Sequence, residues 1–573
     1  MTGFPRPWVR IPPSPHVRNR LLRFGSYIGV GVATGLLVAA VALLSEKVLL
    51  SQVLTLDLWK QAAAPAVGLF ASVLILRWAK GGRPLSSATS EEYIRAYHDR
   101  SHPILLRYLP FRMAAGIATV GFGGAVGLEG PAIYAGSTTG SFMQRRLRPL
   151  FRDKNSYALL VAGAAAGVSA IFQAPATGVL FALEAPYKSD LGRRALLPAL
   201  LASASSYVVY VLVTDFTTLP FNVRTDMVNV GFGRAELLGA AVVGALCGIA
   251  ATGFGRMVAR AKRISESRRP WWMRALVCGA ILSGLVVVSD FLYGDPLSMG
   301  PTTEGRLTDW VVTLDDSLWL LGALLAIRVV ATSTVLAGGG VGGVFIPLAV
   351  FGLIVGRLVG GWVDLGAESL AFFPFIGVAA FLAAGYRTPL AAVMFVAEST
   401  GAPAFVVPAL IAVAVSQVVV GRSSVSQYQR ETRTGHLEQR LEMPVTSALV
   451  RDVPTIKPDA TIAEFFWGMA LPRKQVEAVV VDGDDVFLGV IRLTDAHEVD
   501  RDDWGSVSVA DVMLTGLTPA RPSWKLREIT TAMADVDVEM YPVVDSGNRV
   551  VGVVTENAIV KLVDLLDESR QSS

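Results

Sequence analysis

Long apolar runs recur through this chain, and they constrain its fold more than any other feature of the sequence. They cover residues 28–44, 62–76, 195–213, 237–253, 275–288, 318–330 and 405–420. Several runs approach the roughly 20 residues that a helix needs to span a bilayer, and others are shortened or interrupted by Gly and Pro, as discontinuous membrane helices are. With 52% hydrophobic and 17% charged residues, the chain is predicted to be an all-α polytopic membrane protein with a soluble α/β appendage.

A carboxylate lies inside one apolar stretch, at Glu129 in the Gly-Leu-Glu-Gly-Pro sequence of residues 127–131. Between residues 111 and 143 the only other formal charge is Arg112. An ionisable residue within a membrane segment is costly and therefore indicates a functional site. Glycine breaks the helix before Glu129, and Pro131 suits the first turn of a new helix. Such a helix directs free N–H groups and a partial positive charge at whatever lies in front of it. We therefore predict an anion site that Glu129 can occupy or leave.

The chain also contains an internal repeat. Residues 163–185 align with residues 377–399 at an offset of 214, with eight of 23 positions identical, including one Pro and one Glu. At almost the same offset, the break at residues 127–131 falls near the glycine-rich run 338–347. Paired interruptions at corresponding places in two halves point to a binding site at the interface of the repeats.

Basic residues give the relative orientation of the two halves. Arg18, Arg20 and Arg23 directly precede the first long run, and six basic residues between 256 and 269 follow its counterpart, which begins near Leu237. Because short basic segments remain in the cytoplasm, the first helix starts inside and its counterpart ends inside. The repeat is therefore predicted to be inverted, with discontinuous helices and halves at residues 26–214 and 235–421. Residues 1–25 are predicted to be a cytoplasmic segment, and both termini are placed in the cytoplasm.

Three motifs together resemble those of the CLC family of chloride channels and chloride/proton exchangers. They are residues 127–131, the Gly-Val-Phe-Ile-Pro of residues 343–347, and the segment 163–183 with its Ala-Pro pair. The resemblance covers residues 26–422 and implies a homodimer with one anion pathway per subunit. It implies that Glu129 is the gating glutamate, whose side chain mimics a bound chloride and swings away to admit one. It assigns the anion site to Gly127, Gly130, Val344, Phe345 and Ile346.

Three positions depart from the family pattern. The family usually begins another half-helix with a serine that contacts the anion, and this position is Ala88 here, beside Ser87. The late tyrosine of the family, which also donates to the anion, is replaced by Ser426, with Tyr428 two residues further on. Exchangers usually carry an internal glutamate that passes protons to the cytoplasm, and its position is Ala185. The first two changes leave the anion selectivity open.

Ala185 removes a titratable group from the expected proton path, and such a path needs titratable groups along its length. The resemblance therefore predicts CLC-type chloride (anion) transport across the plasma membrane by a gated passive channel, with chloride/proton antiport as the alternative. The adjacent Glu184 faces another direction, since neighbours on a helix differ by about 100°. It is interpreted either as a proton-path residue or as a structural carboxylate paired across the repeat near Glu398.

The composition changes after residue 420. Residues 423–442 are polar and charged and are predicted to be a linker, and residues 443–573 are predicted to be a soluble α/β region. Two copies, at about residues 443–500 and 507–566, share the order strand, helix, strand, turn, strand, helix. Turns containing Gly, Asn or Asp between β-branched runs are hairpin signals. The order resembles a tandem pair of CBS domains. A further alternative is thus a non-conducting CLC-like sensor with this pair as its active part.

Tandem CBS domains often bind adenine nucleotides, and the resemblance points to two residues for that role. The first copy keeps the expected acid at Asp495 but has Arg492 in the hydroxyl position. The second copy keeps the hydroxyl at Thr555 but has Ala558 in the acid position. Each copy has half of the motif, so two readings remain: a nucleotide-binding pair and a dimerising module without a ligand.

Other classes of protein find little support in the sequence. The five histidines lie outside the apolar runs without metal-ligand spacing, and no P-loop motif is present. The chain is therefore predicted not to be an enzyme, with no catalytic residues, no metal site and no required cofactor. The net charge of +4 reflects arginines at helix ends, so no nucleic-acid partner is expected. The expected partners are the lipid bilayer, a second subunit and chloride or another small anion.

Overall fold

The computed structural model describes residues 15–571 apart from 82–84, 100–101, 152–156, 216–231, 268–269, 303–305, 314–316, 364–366, 433–440 and 537. The chain divides into two compact units, Met1–Arg433 and Thr434–Ser573, and each is described by itself.

Among its described residues, the first unit is built from helices and their connecting loops. In chain order its helices are α1 (Pro15–Ala42), α2 (Leu58–Trp78), α3 (Thr89–His98), α4 (Leu109–Gly121), α5 (Glu129–Arg146), α6 (Ala158–Phe172), α7 (Pro175–Glu184), α8 (Leu196–Thr214), α9 (Arg234–Ser265), α10 (Trp271–Tyr293), α11 (Arg306–Thr313), α12 (Leu318–Gly338), α13 (Phe345–Val363), α14 (Ala367–Tyr386), α15 (Pro389–Thr400) and α16 (Val406–Val420). A π-helical segment, Leu43–Leu50, and a last turn, Ser51–Val53, extend α1.

The prediction of a polytopic helical protein is confirmed. Among the described residues, eight helices are long and apolar enough to cross a membrane. Each apolar run of the sequence lies within one of them, except that the run 195–213 begins one residue before its helix. Several others are apolar but short: α6, α7 and α15 have 15, 10 and 12 residues. At about 1.5 Å of rise per residue, such helices do not cross the roughly 30 Å hydrocarbon core alone. They are the discontinuous helices that the glycine and proline breaks predicted.

Matched glycines explain part of the sequence repeat. Gly163 of α6 lies against Gly136 of α5, and Gly377 of α14 lies against Gly352 of α13. At each of these four positions, an added Cβ would overlap the backbone carbonyl of the facing glycine. Small residues allow membrane helices to approach this closely, so that van der Waals contact can stabilise their association. The identity of Gly163 with Gly377 therefore reflects the same helix crossing in each half.

The second unit is α/β and contains two small sheets. Its strands are β1 (Thr455–Ile456), β2 (Glu477–Val481), β3 (Phe487–Arg492), β4 (Met540–Val544) and β5 (Val550–Thr555). Its helices are α17 (Leu493–His497), α18 (Val509–Val512), α19 (Leu526–Val536) and α20 (Glu556–Gln571), with a π-helical segment at Glu464–Ala470. Strand β2 pairs with β1 in parallel and with β3 antiparallel, and β4 pairs with β5 antiparallel. The two hairpins lie where the turn signals predicted them.

Candidate anion site

The two glycine-rich breaks of the repeat meet at the centre of the first unit. Gly127 N–H donates to the Gly343 carbonyl at 3.0 Å, and Gly343 N–H donates to the Gly127 carbonyl at 2.8 Å. Helix α5 begins two residues after Gly127, and α13 begins two residues after Gly343. Two helix N-termini, one from each half, are therefore held beside each other, and this concentrates partial positive charge at the junction.

Glu129 lies at this junction and is only 1% exposed. Its Oε1 accepts a hydrogen bond from Phe345 N–H at 2.6 Å, so the carboxylate occupies the N-terminus of α13. The glycines are required for this arrangement. A Cβ on Gly343 would overlap Oε1, and a Cβ on Gly127 would overlap Oε2. A buried carboxylate with a backbone donor fills a place that another monovalent anion can fill, because helix N-termini are anion-binding sites.

The other residues assigned to this site differ in where they lie. Val344 and Phe345 are buried at the start of α13, and Ile346 follows them. Gly130 packs against Gly343 and the Thr89 hydroxyl, with no room for a side chain. The structure thus brings together five residues that the family resemblance assigned to the anion site: Gly127, Gly130, Val344, Phe345 and Ile346.

The positions that depart from the family pattern lie around a neighbouring cavity or outside it. Ser87 and Ala88 line a cavity of about 260 Å³ at the start of α3. Ser426 is buried, and its hydroxyl points to Glu91 rather than to Glu129. Tyr428 is 43% exposed, and its ring lies under the Arg95 guanidinium at 5.4 Å. The structure therefore does not bring Tyr428 to the anion site, because its chain segment directs the ring to the surface of α3.

The cavity that Ser87 and Ala88 line is here called the Val344–Lys262 cavity, and it connects the anion site to a charged region. Near the site it is lined by Gly343, Val344 and Tyr386, and further away by Glu91 and Lys262. The remaining lining includes Glu266 and Arg274. The cavity therefore has backbone amides at the anion site and two basic and two acidic side chains elsewhere in its wall, and its basic groups, Lys262 and Arg274, are the ones that attract a small anion.

Tyr386 also lies at this candidate site, and it was not predicted from the sequence. It is buried at the end of α14, with its ring 5.3 Å from that of Phe181 and 6.1 Å from that of Phe345. Its hydroxyl makes hydrogen bonds with the Val344 backbone and the Ser90 side chain, and Tyr386 lines the same cavity as Glu91. The only sequence signal was a phenol directly before the Arg-Thr-Pro of the second repeat copy, a position that is Phe172 in the first copy.

Glu184 and Glu398 bind reciprocally across the two halves. The Glu184 carboxylate accepts from Leu390 N–H and Ala391 N–H at 3.0 and 2.8 Å. The Glu398 carboxylate accepts from Ala176 N–H and Thr177 N–H at 2.8 and 2.7 Å. Each carboxylate caps the first turn of a helix in the other half, which satisfies free N–H groups and complements the helix dipole. Both oxygens of Glu184 are thus engaged in joining α7 to α15.

Ala185 follows Glu184 and is fully buried. Its carbonyl accepts from the Gln429 side-chain amide at 2.9 Å. The same amide group donates to the Tyr386 carbonyl at 2.8 Å. Gln429 is therefore a buried, neutral connection between α7, α14 and the segment after α16, and it contacts the Ala185 carbonyl.

In the second unit, the two residues assigned to nucleotide binding have local partners. Asp495 binds the Arg492 guanidinium, with Nη2 to Oδ1 at 2.6 Å and Nε to Oδ2 at 2.9 Å. Thr555 Oγ1 accepts from Ala558 N–H at 3.1 Å and caps the start of α20. The arginine in the hydroxyl position of the first copy is therefore the partner of the acid in that copy.

A buried carboxylate also links the two copies of this unit. Glu477 of β2 accepts from Glu539 N–H at 3.0 Å and from Met540 N–H at 2.8 Å. Burial raises the pKa of the Glu477 carboxyl, and the two N–H donors oppose that change.

Across the part of the chain that the structure describes, no group of three or more His, Cys, Asp or Glu side chains is arranged to hold a metal ion.

The fold and the site define a multi-pass membrane protein that transports anions rather than an enzyme. The family model described as voltage gated chloride channel matches residues 67–421, and the CBS domain model matches residues 445–501 and 509–565. The chain therefore belongs to the CLC family of chloride channels and exchangers and carries a C-terminal pair of CBS domains.

Relatives and solved structures agree with this membership. The H(+)/Cl(-) exchange transporter ClcA of Vibrio parahaemolyticus is 26% identical over 361 residues, which cover 60% of this chain and 73% of the relative. The crystal structure of a eukaryotic CLC transporter matches with a TM-score of 0.59 and 20% identity, over 94% of this chain and 98% of that one. That of a CLC-type fluoride/proton antiporter matches with a TM-score of 0.57 and 22% identity, over 73% and 98%.

Proposed function

We propose that this protein conducts chloride across the plasma membrane through a pathway gated by Glu129, with one pathway in each subunit of a homodimer and both termini in the cytoplasm. One observation carries the proposal: Phe345 N–H donates to Glu129 Oε1 at 2.6 Å where the two glycine-rich breaks meet. The carboxylate is a covalently attached substitute for a halide, since both are monovalent anions that accept hydrogen bonds from N–H groups.

The gate works by competition between Glu129 and the permeating anion. When Glu129 is ionised, it occupies the α13 N-terminus and blocks the pathway. When it is protonated, it loses its attraction to the helix dipole, and an anion takes its place. A high anion concentration displaces the ionised side chain in the same way, by mass action. Acidification on the side from which Glu129 receives protons therefore increases chloride flux.

Hydroxyl donors complete the anion site. The amides of Val344, Phe345 and Ile346 supply the backbone part, as the family resemblance implies. The family's serine position is Ala88 here, and Tyr428 lies at the surface. Tyr386 then supplies the phenol, because its hydroxyl lies at the Val344 backbone and lines the same cavity. Ser87, which also lines the cavity, directly precedes the position of the missing serine in the chain.

Passive conductance is the first form of this proposal. Ala185 has no titratable group, and both oxygens of Glu184 are held by α15 N–H groups. Proton-coupled exchange is the second form, and a different observation favours it: Tyr386 and Glu91 line one cavity beside Val344, so titratable groups are present near Glu129. The printed names of the relatives also describe exchange of chloride or fluoride with protons.

The test is the reversal potential in liposomes that contain the purified full-length protein. It is measured under a chloride gradient, with and without an opposing pH gradient. Passive conductance gives a reversal potential set by chloride alone, whereas exchange gives one that the pH gradient shifts. Absence of any chloride flux would reject both forms and leave the non-conducting sensor.

The gating assignment is tested in the same liposomes with Glu129→Gln and Glu129→Ala. Each variant removes the tethered charge, so chloride flux should persist and lose its dependence on pH. Glu431→Gln, which changes a half-exposed carboxylate paired with Lys188, is the control for reconstitution. If both Glu129 variants keep the flux and the pH dependence of the unaltered protein, Glu129 is not the gate.

For the CBS pair we propose a dimerising and regulatory module, with adenine-nucleotide binding as the second candidate. The Arg492–Asp495 ion pair supports the first, since a ribose hydroxyl would have to compete with a guanidinium for the same oxygens. Titration of the full-length protein with ATP and with AMP, followed by calorimetry, separates the two. Binding that Asp495→Ala or Thr555→Ala weakens would establish the second.

A further inference from the structure

Three donors converge on a second buried carboxylate, Glu91 in the first turn of α3. Lys262 Nζ donates to Oε1 at 2.6 Å. Ser426 Oγ donates to Oε2 at 3.4 Å, and Gln427 N–H lies 3.3 and 3.2 Å from the two oxygens. Lys262, Ser426 and Gln427 are called here the Glu91 donor cluster. They belong to two parts of the chain, α9 and the segment after α16, so their convergence is a property of the fold.

The position of this cluster connects it with anion movement. Glu91 is 7% exposed, and both Glu91 and Lys262 line the Val344–Lys262 cavity. Lys262 is also held by the Val425 carbonyl at 3.1 Å, so its ammonium has a fixed place in the cavity wall. At the other end of the cavity, Val344 leads directly to Phe345 and hence to Glu129. An anion that moves between the anion site and the charged end of the cavity passes this ammonium.

The arrangement repeats the chemistry of Glu129 with different donors. In both places a buried carboxylate accepts from groups that bind a halide equally well: backbone N–H at Glu129, and ammonium, hydroxyl and backbone N–H at Glu91. A buried ion pair is retained at a cost in desolvation, and removal of one partner leaves the other uncompensated. Without the Glu91 charge, Lys262 would need another anion. Of the other two charged residues that line the cavity, Arg274 adds to that need and Glu266 offsets it.

We propose that the Glu91 donor cluster is a second anion-binding site, which Glu91 occupies as a tethered anion and which a small monovalent anion occupies when Glu91 moves away. The proposal rests on the anion pathway described under the proposed function and deepens it. Two carboxylates then guard one path, Glu129 at the α13 N-terminus and Glu91 at Lys262, with the Tyr386 hydroxyl between them. An anion that moves along the cavity displaces first one of these carboxylates and then the other.

The test is direct chloride binding by calorimetry on purified full-length protein in detergent, without any flux. Glu91→Gln keeps the shape of the side chain and removes the competing charge. We expect one additional chloride bound per chain, or about tenfold tighter binding at this site. The double variant Glu91→Gln with Lys262→Met should lose that gain. Glu92→Gln is the matched control, because Glu92 is the next residue of α3 and pairs with Arg112 instead.

A merely structural role for the ion pair predicts something else. Then Glu91→Gln and Lys262→Met lower thermal stability, while chloride affinity and stoichiometry stay as in Glu92→Gln, and this outcome overturns the proposal. Glu91→Ala also removes the competing charge and serves if Glu91→Gln does not fold. It should show the same Lys262-dependent gain in chloride binding, and unchanged binding overturns the proposal equally.

The binding assay also separates this proposal from the proposed function. If liposomes with the unaltered protein carry no chloride flux while Glu91→Gln still gains a Lys262-dependent chloride, the second site stands and the transport function fails. If flux is present and gated by Glu129 but Glu91→Gln gains nothing, the transport function stands and the second site is rejected.

Discussion

At the scale of single residues, Gly343 determines whether the Glu129 carboxylate can reach the α13 N-terminus. A methyl group there would overlap Oε1. Forcing extra volume into a packed site costs about 1–3 kcal/mol. We therefore expect Gly343→Ala to displace the carboxylate and to raise chloride flux at neutral pH about tenfold, as 1.4 kcal/mol corresponds to a factor of ten. Liposome flux between pH 5 and 8 checks this, and the pH dependence should flatten.

The control for that substitution is Gly284→Ala. Gly284 lies in α10, and an added Cβ there meets nothing within 4 Å. The same chemical change in open space should leave the flux and its pH dependence as they are. Should Gly343→Ala retain a closed state at neutral pH, the carboxylate does not depend on the space that Gly343 leaves.

Tyr386 carries the second prediction at this scale. Tyr386→Phe keeps the ring between Phe181 and Phe345 and removes only the hydroxyl. A hydrogen bond to a charged group contributes about 1.5 kcal/mol or more, so chloride binding should weaken about tenfold. Calorimetry on the full-length protein measures the affinity. Tyr293→Phe is the control, because that hydroxyl donates to the Leu320 carbonyl at 3.0 Å outside the cavity. Equal affinities in the two variants would refute the role of Tyr386.

The sequence predicted part of this site, for reasons that residue spacing explains. The Glu129 and Phe345 regions were found because each signal is local: a charge or a glycine run beside a proline, within a few positions. Tyr386, Glu91 and Lys262 carry no such signal. Glu91 meets Ser426 across 335 positions and Lys262 across 171. Only the packing of α3, α9 and α14 brings these residues together, and a single sequence does not contain that packing.

At the scale of elements, the two short helices α7 and α15 are joined end to end by charge. Glu184, the last residue of α7, accepts from the first turn of α15, and Glu398, near the end of α15, accepts from the first turn of α7. The repeat in the sequence identified the two glutamates as equivalent, and this pairing is the physical reason for their equivalence. The link across the two halves was only one of two interpretations of Glu184, since the sequence does not identify the partner of either glutamate.

This reciprocal capping leads to a prediction for Glu184→Gln and Glu398→Gln. A glutamine amide accepts with one oxygen and directs its NH₂ group at the second backbone donor. Leaving a buried donor unsatisfied costs about 1–3 kcal/mol. We expect both variants to lower the apparent unfolding temperature by similar amounts, as tryptophan fluorescence of the detergent-solubilised protein would record, while Glu431→Gln changes it little.

The same variants decide between the two readings of Glu184. A structural carboxylate leaves the response of the reversal potential to a pH gradient unchanged in Glu184→Gln. A proton station would abolish that response, whatever happens to the unfolding temperature. Comparison with Glu398→Gln, which carries the equivalent lesion in the other half, removes the effect of general destabilisation.

At the scale of the whole molecule, both units use one device to join their internal repeats. A carboxylate from one copy accepts backbone N–H groups from the other copy: Glu129 from Phe345, Glu184 from α15, Glu398 from α7, and Glu477 from β4. Repeated units leave N–H groups at element starts without partners in their own copy. Glu184, Glu398 and Glu477 each accept from two such groups, and Glu129 accepts from Phe345 N–H. In the proposed function Glu129 is also a gate, because an anion from solution replaces its carboxylate.

At Glu477 no ion competes with the carboxylate, so its pairing with backbone N–H groups affects only stability. Burial raises the pKa of its carboxyl above the unfolded value of about 4.3. The folded unit therefore holds the proton more tightly, so this contribution to stability is fully present below the unfolded pKa and is lost as the pH rises through the folded pKa. Glu477→Gln does not titrate. The stability advantage of the unaltered protein over this variant should then grow as the pH falls from neutral.

Hydrogen exchange of β4 in the full-length protein measures that advantage. Comparison of the two proteins at each pH cancels the intrinsic pH dependence of exchange. We expect weaker protection of the Glu539 and Met540 amides in Glu477→Gln at every pH, because one of them faces the NH₂ group of the glutamine. We also expect a difference that widens on acidification. A difference that narrows would mean that the backbone donors lower the pKa of the Glu477 carboxyl more than burial raises it. Glu477 would then join the two copies as a stably ionised group.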